Sequence, residues 1–142
     1  MHFASVNFLS ILVAAVAAWL SGAIYYTALS RPWMAAQGKT LEQCEAEQAG
    51  KSGAAKYAPF VVVFVSEFIM AWVLYGILFH LNMFSARAGA IAAAFCWLGF
   101  VVTTIASNNA FGNRRTSLTV IDSNAWLIAL VLIGVVLGTW GA

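Results

Sequence analysis

The chain contains 142 residues, of which 63% are hydrophobic and only 8% are formally charged. Soluble globular domains carry about 25% charged residues, so this composition excludes a water-exposed globular fold and indicates an integral membrane protein. The formal net charge of +2 also argues against nucleic acid as a partner, because a nucleic-acid-binding domain needs a clustered basic face. Membrane lipids are therefore the expected partners along most of the chain.

Four apolar stretches have the roughly 20 residues that a helix needs to cross a hydrocarbon core of about 30 Å. They predict an all-α integral membrane protein whose single transmembrane domain, residues 1–142, is a compact four-helix bundle. The predicted spans are 6–29, 57–81, 86–107 and 122–140. A cleaved secretory signal is the alternative for the first span, but residues 1–5 lack the Lys or Arg that begins such a signal.

Lys and Arg are distributed unevenly between the two sides that four spans define. Arg87 lies at the start of the third span, beside the middle loop. The other six lie in the first and third loops: Arg31, Lys39, Lys51, Lys56, Arg114 and Arg115. The positive-inside rule places the side with six cations in the cytoplasm. The sequence therefore predicts a multi-pass protein of the bacterial cytoplasmic (inner) membrane, with both termini outside the cytoplasm.

The first loop, residues 30–56, is the longest polar segment of the chain. Within it, Thr40 and Gln43 have the spacing of a capping box, which predicts a short acidic cytoplasmic helix over 41–49. Gly50 and Gly53 are expected to end this helix. Its three glutamates are interpreted as a solvated face, and the alternative is a docking surface for a basic partner.

Glu67 lies ten residues after Tyr57 in the sequence, which places it about 15 Å into the second span and close to the bilayer midplane. A charged carboxylate at that depth is costly unless it is paired. Hydroxyl groups on the first and third spans are expected at a similar level and predict an intramembrane polar cluster around Glu67. The cluster members are Ser21, Tyr25, Thr103 and Thr104. Two interpretations stay open, a proton or ion relay and a protonated carboxyl that holds helices together.

Small residues recur at every fourth position on three of the spans. The three stripes are Ala14, Ala18 and Gly22, then Ala86, Ala90 and Ala94, then Gly134 and Gly138. Such stripes let helix backbones approach closely, and close packing drives association in lipid. We expect one stripe to be available to another subunit in a homo-oligomer or a larger membrane complex. Gly134 and Gly138 are the first choice for that contact.

The connection between the third and fourth spans is rich in hydrogen-bond donors. Arg114, Arg115 and Asn109 form a candidate site for a lipid headgroup phosphate or another anion, and anchoring by the positive-inside rule is the alternative for the two arginines. Asp122 precedes Ser123 at the start of the last span and is predicted to cap that helix. Whether residues 109–121 re-enter the bilayer is left open.

The sequence lacks the motifs of catalytic and metal sites. It contains no Gly-x-Ser-x-Gly, no P-loop and no His-Glu-x-x-His, so no catalytic residue is assigned and an enzyme is disfavoured. Cys44 and Cys96 have no metal-ligand spacing and are expected to be free thiols. His2 and His80 are interpreted as interfacial hydrogen-bonding residues, with a shared metal or haem as the alternative. No metal and no cofactor are therefore expected.

Several residues outside the apolar repeats carry a family resemblance. They are Asn7, Gly22, Tyr25, Tyr26, Trp33, Met34, the turn Asn109-Ala-Phe-Gly112, Leu118, Ile121, Asp122 and Trp140. On these residues the chain resembles a bacterial membrane family known as domain of unknown function 1761, over nearly its whole length. The resemblance implies a small four-helix membrane protein, and it implies no activity, substrate or catalytic residue.

Two functions from different classes fit these patterns. The first is a non-enzymatic structural or accessory protein that self-associates or joins a larger membrane complex. The second is a small transporter or channel subunit that uses Glu67 as a titratable intramembrane group. A membrane enzyme acting on lipid or quinone is a third hypothesis, and it needs a polar pocket around Tyr25, Asn109 and Asp122.

Overall fold

The computed structural model describes residues 6–142, which fold into α-helices joined by short turns. The helices are α1 (Phe8–Ala28), α2 (Ser30–Gln37), α3 (Leu41–Ala49), α4 (Ala54–Leu81), α5 (Ala86–Cys96), α6 (Thr103–Phe111) and α7 (Thr116–Trp140). A π-helical segment, Trp97–Val102, joins α5 to α6 without a break, so that 86–111 is one continuous span. This span, α1, α4 and α7 are each long and apolar enough to cross a membrane. The protein is a multi-pass membrane protein.

Helix α7 is the centre of the bundle, because it packs against α1, α4 and α5, whereas α1 otherwise packs mainly on α4. The interior is built from alanines and branched aliphatic side chains on the facing stripes. Its members include Ile11, Ala14, Ala15 and Ala18 of α1, Ala71, Leu74 and Leu78 of α4, Ala93 of α5, and Leu130, Ile133 and Leu137 of α7. Small residues dominate α1 and α5, which is the composition that close helix packing in lipid requires.

The closest backbone approach in the bundle joins α5 to α7. A Cβ atom added to Gly134 would collide with the carbonyl of Gly89, and one added to Gly138 would collide with the carbonyl of Ser85. Only glycine fits at such a contact. The expectation that Gly134 and Gly138 face another subunit is therefore wrong, since the same chain already covers both.

The other two stripes pack within the bundle only in part. Ala14 and Ala18 are fully buried within the bundle, while Gly22 is partly exposed, with open space beside it. On the third span, the fully buried small residues are Gly89 and Ala93, and not the predicted stripe, whose members are only partly buried. Small side chains line every face of an alanine-rich helix. Which face is buried therefore depends on the helix that packs against it.

The first loop is more structured than expected. Helix α2 follows α1 directly and ends at Gly38, whose φ of +73° is a left-handed conformation that favours glycine. Helix α3 begins with a capping box between Thr40 and Gln43, and Lys39 forms an ion pair of 2.7 Å with Glu47. The hydrogen bond from the Lys39 ammonium lowers the pKa of the Glu47 carboxyl. This exposed ion pair is present above the ordinary pKa of a glutamate and is lost as pH falls through the lowered value.

A single methyl group tests the contact between α5 and α7. We expect Gly134→Ala to lower the free energy of unfolding by about 1–3 kcal/mol, because the new Cβ meets backbone that cannot move aside. Gly22→Ala is the matched control, since its Cβ meets nothing within 4 Å, and it should change stability by less than about 1 kcal/mol. Reversible unfolding in mixed detergent micelles measures both values, and equal effects of the two variants would contradict the contact.

Candidate functional site

Asp122 lies inside α7 and links three helical segments. The Tyr26 hydroxyl of α1 donates to its Oδ1 atom at 2.9 Å, and the Trp33 indole N–H of α2 donates to the same oxygen at 3.1 Å. The prediction that Asp122 caps the last helix is wrong, because α7 begins at Thr116. The polar residues of 116–121, interpreted from sequence as a connection, form the first turns of that helix. The connection is thereby reduced to residues 112–115.

Aromatic rings surround this carboxylate. Tyr25 donates its hydroxyl to the backbone carbonyl of Ile121 at 3.0 Å. The Tyr26 ring meets the Tyr25 ring edge-on at 5.5 Å between centroids, and it meets the Trp33 ring at 5.4 Å. We call Tyr25, Tyr26, Trp33 and Asp122 the Asp122 cluster. It fastens the end of α1, and α2 with it, to the beginning of α7.

Two of the three side chains predicted to bind a lipid phosphate have partners within the chain. Arg115 donates to the carbonyl of Ala35 at 2.6 Å and so attaches α2 to the third connection. Asn109 donates to the Thr119 hydroxyl at 3.0 Å. Arg114 is exposed to solvent. The two loops that carry six of the seven cations are therefore joined at one end of the bundle.

A second junction, which the sequence analysis did not identify as a site, closes the opposite end. The Asn7 amide donates to the Trp140 carbonyl at 2.9 Å, and the Asn7 backbone N–H donates to the Tyr75 hydroxyl at 3.2 Å. The Asn7 side-chain oxygen accepts from the Ser10 backbone N–H and caps α1. An asparagine directly before an apolar helix is the signal that could have found this junction.

Glu67 is buried in the apolar interior of the bundle, with 2% of its surface exposed. Its Oε2 atom has no hydrogen-bond partner among the described residues. Rings of α1 and α4 pair Phe8 with Trp72 and Trp19 with Phe64, so Glu67 lies opposite about residues 13–16 of α1. The alanines at 14 and 15 leave room for the carboxyl group at that level.

The predicted polar cluster around Glu67 does not form. Ser21 donates to Ala18 O, Thr103 to Gly99 O and Thr104 to Phe100 O, each within its own helix. Both threonines face outward. Tyr25 lies about 15 Å from the level of Glu67 along α1, because roughly ten residues separate Tyr25 from the residues opposite Glu67. Counting residues inward from the ends of the spans gives an approximate depth for each side chain. It does not give the register between neighbouring helices, which decides the side chains that meet.

The remaining candidates bind backbone or stand alone. The Trp97 indole donates to the Ser123 carbonyl at 2.7 Å and connects the π-helical segment to α7. The His80 ring contacts the carbonyl of Gly76 on its own helix at 2.9 Å, and His2 lies outside the described residues. Both cysteines are free thiols. Within residues 6–142 no three His, Cys, Asp or Glu side chains gather where a metal ion would bind.

Comparison with protein families confirms the resemblance. A family model described as "Protein of unknown function (DUF1761)" matches residues 9–138. The chain belongs to this family. Four of the residues on which the resemblance was drawn meet in the Asp122 cluster. They are Tyr25, Tyr26, Trp33 and Asp122. No curated protein and no solved structure matches the chain.

Removal of the Asp122 acceptor tests the cluster. Asp122→Ala leaves the Tyr26 hydroxyl and the Trp33 indole N–H without their acceptor, and we expect a loss of about 1–3 kcal/mol in stability. Amide hydrogen exchange should also rise across α2, which loses its attachment to α7. Asp122→Asn is the control, because its amide oxygen still accepts both bonds, and α2 should stay protected. Unchanged exchange in the alanine variant would show that α2 is held elsewhere.

Proposed function

We propose that this family member is a structural or accessory protein of the membrane that associates with itself or with a larger membrane complex. The third span carries this proposal. Only 11% of its most apolar stretch is buried, against 39% for α7, so most of its surface faces away from the bundle. In lipid, such a surface is available to a neighbouring helix as well as to acyl chains.

The shape of the third span also supports its exposed surface as the contact with a neighbouring helix. Gly99 lies in the π-helical segment with open space beside it, between exposed large side chains of which Phe95 and Phe100 are 71% and 74% exposed. A glycine flanked by large residues forms a notch into which a neighbouring helix fits. Irregular π-helical turns are also frequent at functional positions of helices. We therefore propose the notch at Gly99, in place of Gly134 and Gly138, as the contact with another subunit.

We propose the bacterial cytoplasmic membrane as the location, with both termini outside the cytoplasm. The hydrogen bond from Arg115 to the carbonyl of Ala35 supports this orientation, since it joins the two cation-rich loops at one end of the bundle. The exposed Arg114 at that end suits anionic lipid headgroups, which are the proposed lipid contacts.

Native mass spectrometry of the protein extracted with its surrounding lipid tests the association. We expect a homo-oligomer or a reproducible foreign subunit for the unmodified protein, and a monomer for Gly99→Leu, in which the notch is filled. Gly22→Leu is the matched control, because Gly22 also has open space beside it but lies on α1, and it should leave the complex intact. Circular dichroism checks that helix content is equal in the three proteins. A bare monomer of the unmodified protein would refute association.

A small transporter or channel subunit is the second candidate function, and the buried carboxyl group of Glu67 favours it. An ionisable residue inside a membrane span commonly marks a proton or ion pathway. For this candidate we expect a pH-gradient-driven proton flux in proteoliposomes, measured with an entrapped pH-sensitive dye. Glu67→Gln should abolish the flux, whereas Glu47→Gln, at an exposed position, should retain it. Flux that persists in Glu67→Gln rejects this role for Glu67.

A further inference from the structure

Glu67 is a carboxyl group without a compensating charge. It is 2% exposed, and its Oε2 atom is buried with no partner among the described residues. The one ion pair formed by residues 6–142 joins Lys39 to Glu47, in the first loop. An ionised carboxylate taken out of water without partners is strongly unfavourable, so the charge of Glu67 must be neutralised by something that the side chains around it do not supply.

The titratable and charged groups of the surrounding helices lie elsewhere. Helix α1 has no Asp, Glu, Lys, Arg or His, and its two tyrosines are in the Asp122 cluster. Helix α7 carries only Asp122 among charged residues, in the same cluster, and α5 carries Arg87, which is exposed, and Cys96. On α4 itself the groups are Lys56 and Tyr57 near its start, and Tyr75 and His80, at least two helical turns beyond Glu67.

We infer that Glu67 is a proton-binding site, which the folded bundle keeps occupied at neutral pH. A proton is the ligand that a single carboxyl group is able to hold alone, whereas a metal cation such as Ca²⁺ takes about 6–8 oxygen ligands. This inference rests on the burial of Glu67 and is independent of both candidate functions. It holds for a proton that never leaves the bundle and for one that is exchanged during transport.

The position of Glu67 connects the proton to helix packing. The carboxyl group lies at the level of the alanines at 14 and 15 of α1, both fully buried. Loss of the proton would place a negative charge against this apolar face. Because Glu67 is buried, water reaches the charge only if α4 separates from the helices packed around it, so proton release is coupled to a local opening of the bundle.

Infrared spectroscopy of the protein in lipid nanodiscs at pH 7.5 tests the inference directly. A protonated carboxyl group has a C=O stretching band that a carboxylate lacks. The chain has four glutamates, and three of them are exposed on α3. We expect one such band, shifted to lower frequency when the glutamate carboxyls are labelled with ¹³C, which separates it from Asp122 without any substitution. The band should vanish in Glu67→Gln and persist in Glu47→Gln.

The stability of the protein supplies a second readout. In the unfolded protein the carboxyl group is in contact with water and releases the proton as an ordinary glutamate does. The unfolding equilibrium constant of the unmodified protein therefore rises by about tenfold for each pH unit above neutrality, as long as the folded carboxyl stays protonated. Stability therefore falls as pH rises. The difference in unfolding between the unmodified protein and Glu67→Gln removes the contribution of the histidines and isolates this slope.

Three results would overturn the inference. They are the absence of a protonated carboxyl band at pH 7.5, a band that does not shift with labelled glutamate, and a stability difference that is independent of pH. If Glu67→Gln does not fold, the isotope shift in the unmodified protein still gives the result. A proton that is present without any flux in proteoliposomes keeps the site and removes only the transport candidate.

Discussion

Close contact between backbones and hydrogen bonds between helices hold this bundle together, because lipid removes the hydrophobic force that would otherwise associate apolar helices. Helix α7 concentrates both kinds of interaction. Its glycines touch the backbone of α5, and its two ends are fixed to α1 by the Tyr26–Asp122 and Asn7–Trp140 hydrogen bonds. Between these points α7 is packed by small and branched side chains. The positions of α1, α4 and the third span are therefore all defined relative to one helix.

The spans could be predicted from sequence because length and apolar composition are properties of each segment alone. Their boundaries were less accessible, since 116–121 contains Thr116, Ser117 and Thr119 and has the composition of a loop. In the folded chain these residues extend α7 beyond its apolar part, where their polar side chains lie beside the third connection. Gly134 and Gly138 pack closely against another helix, as the glycine stripe predicted. Their partner was not predictable, because a glycine stripe does not specify whether the facing helix belongs to the same chain.

In the candidate site, too, the properties of a single segment could be predicted, whereas contacts between segments could not. The burial of Glu67 follows from its place in the sequence, ten residues into an apolar span, and the structure agrees. Its neighbours depend on how far antiparallel helices are shifted along one another. An error of roughly two to three helical turns in that shift led to the prediction of Ser21 and Tyr25 in place of the alanines at 14 and 15. The role of Asp122 was predicted wrongly for the same reason. Its donors, Tyr26 and Trp33, lie on two elements whose relative position is set by the turn between α1 and α2.

The two acidic residues of the spans illustrate two solutions to one problem. Asp122 lies near the start of α7, where one O–H donor and one N–H donor bind its Oδ1 atom. Its side chain is partly exposed to solvent. These two hydrogen bonds hold α1 and α2 against α7. Glu67 is buried, and its Oε2 atom accepts no hydrogen bond from residues 6–142. A chain that needed only packing at position 67 would be served by an apolar residue of similar volume, because burial of a polar group without a hydrogen-bond partner costs free energy. The carboxyl group therefore points to a role for the proton itself, either in specifying the arrangement of α4 or in leaving it.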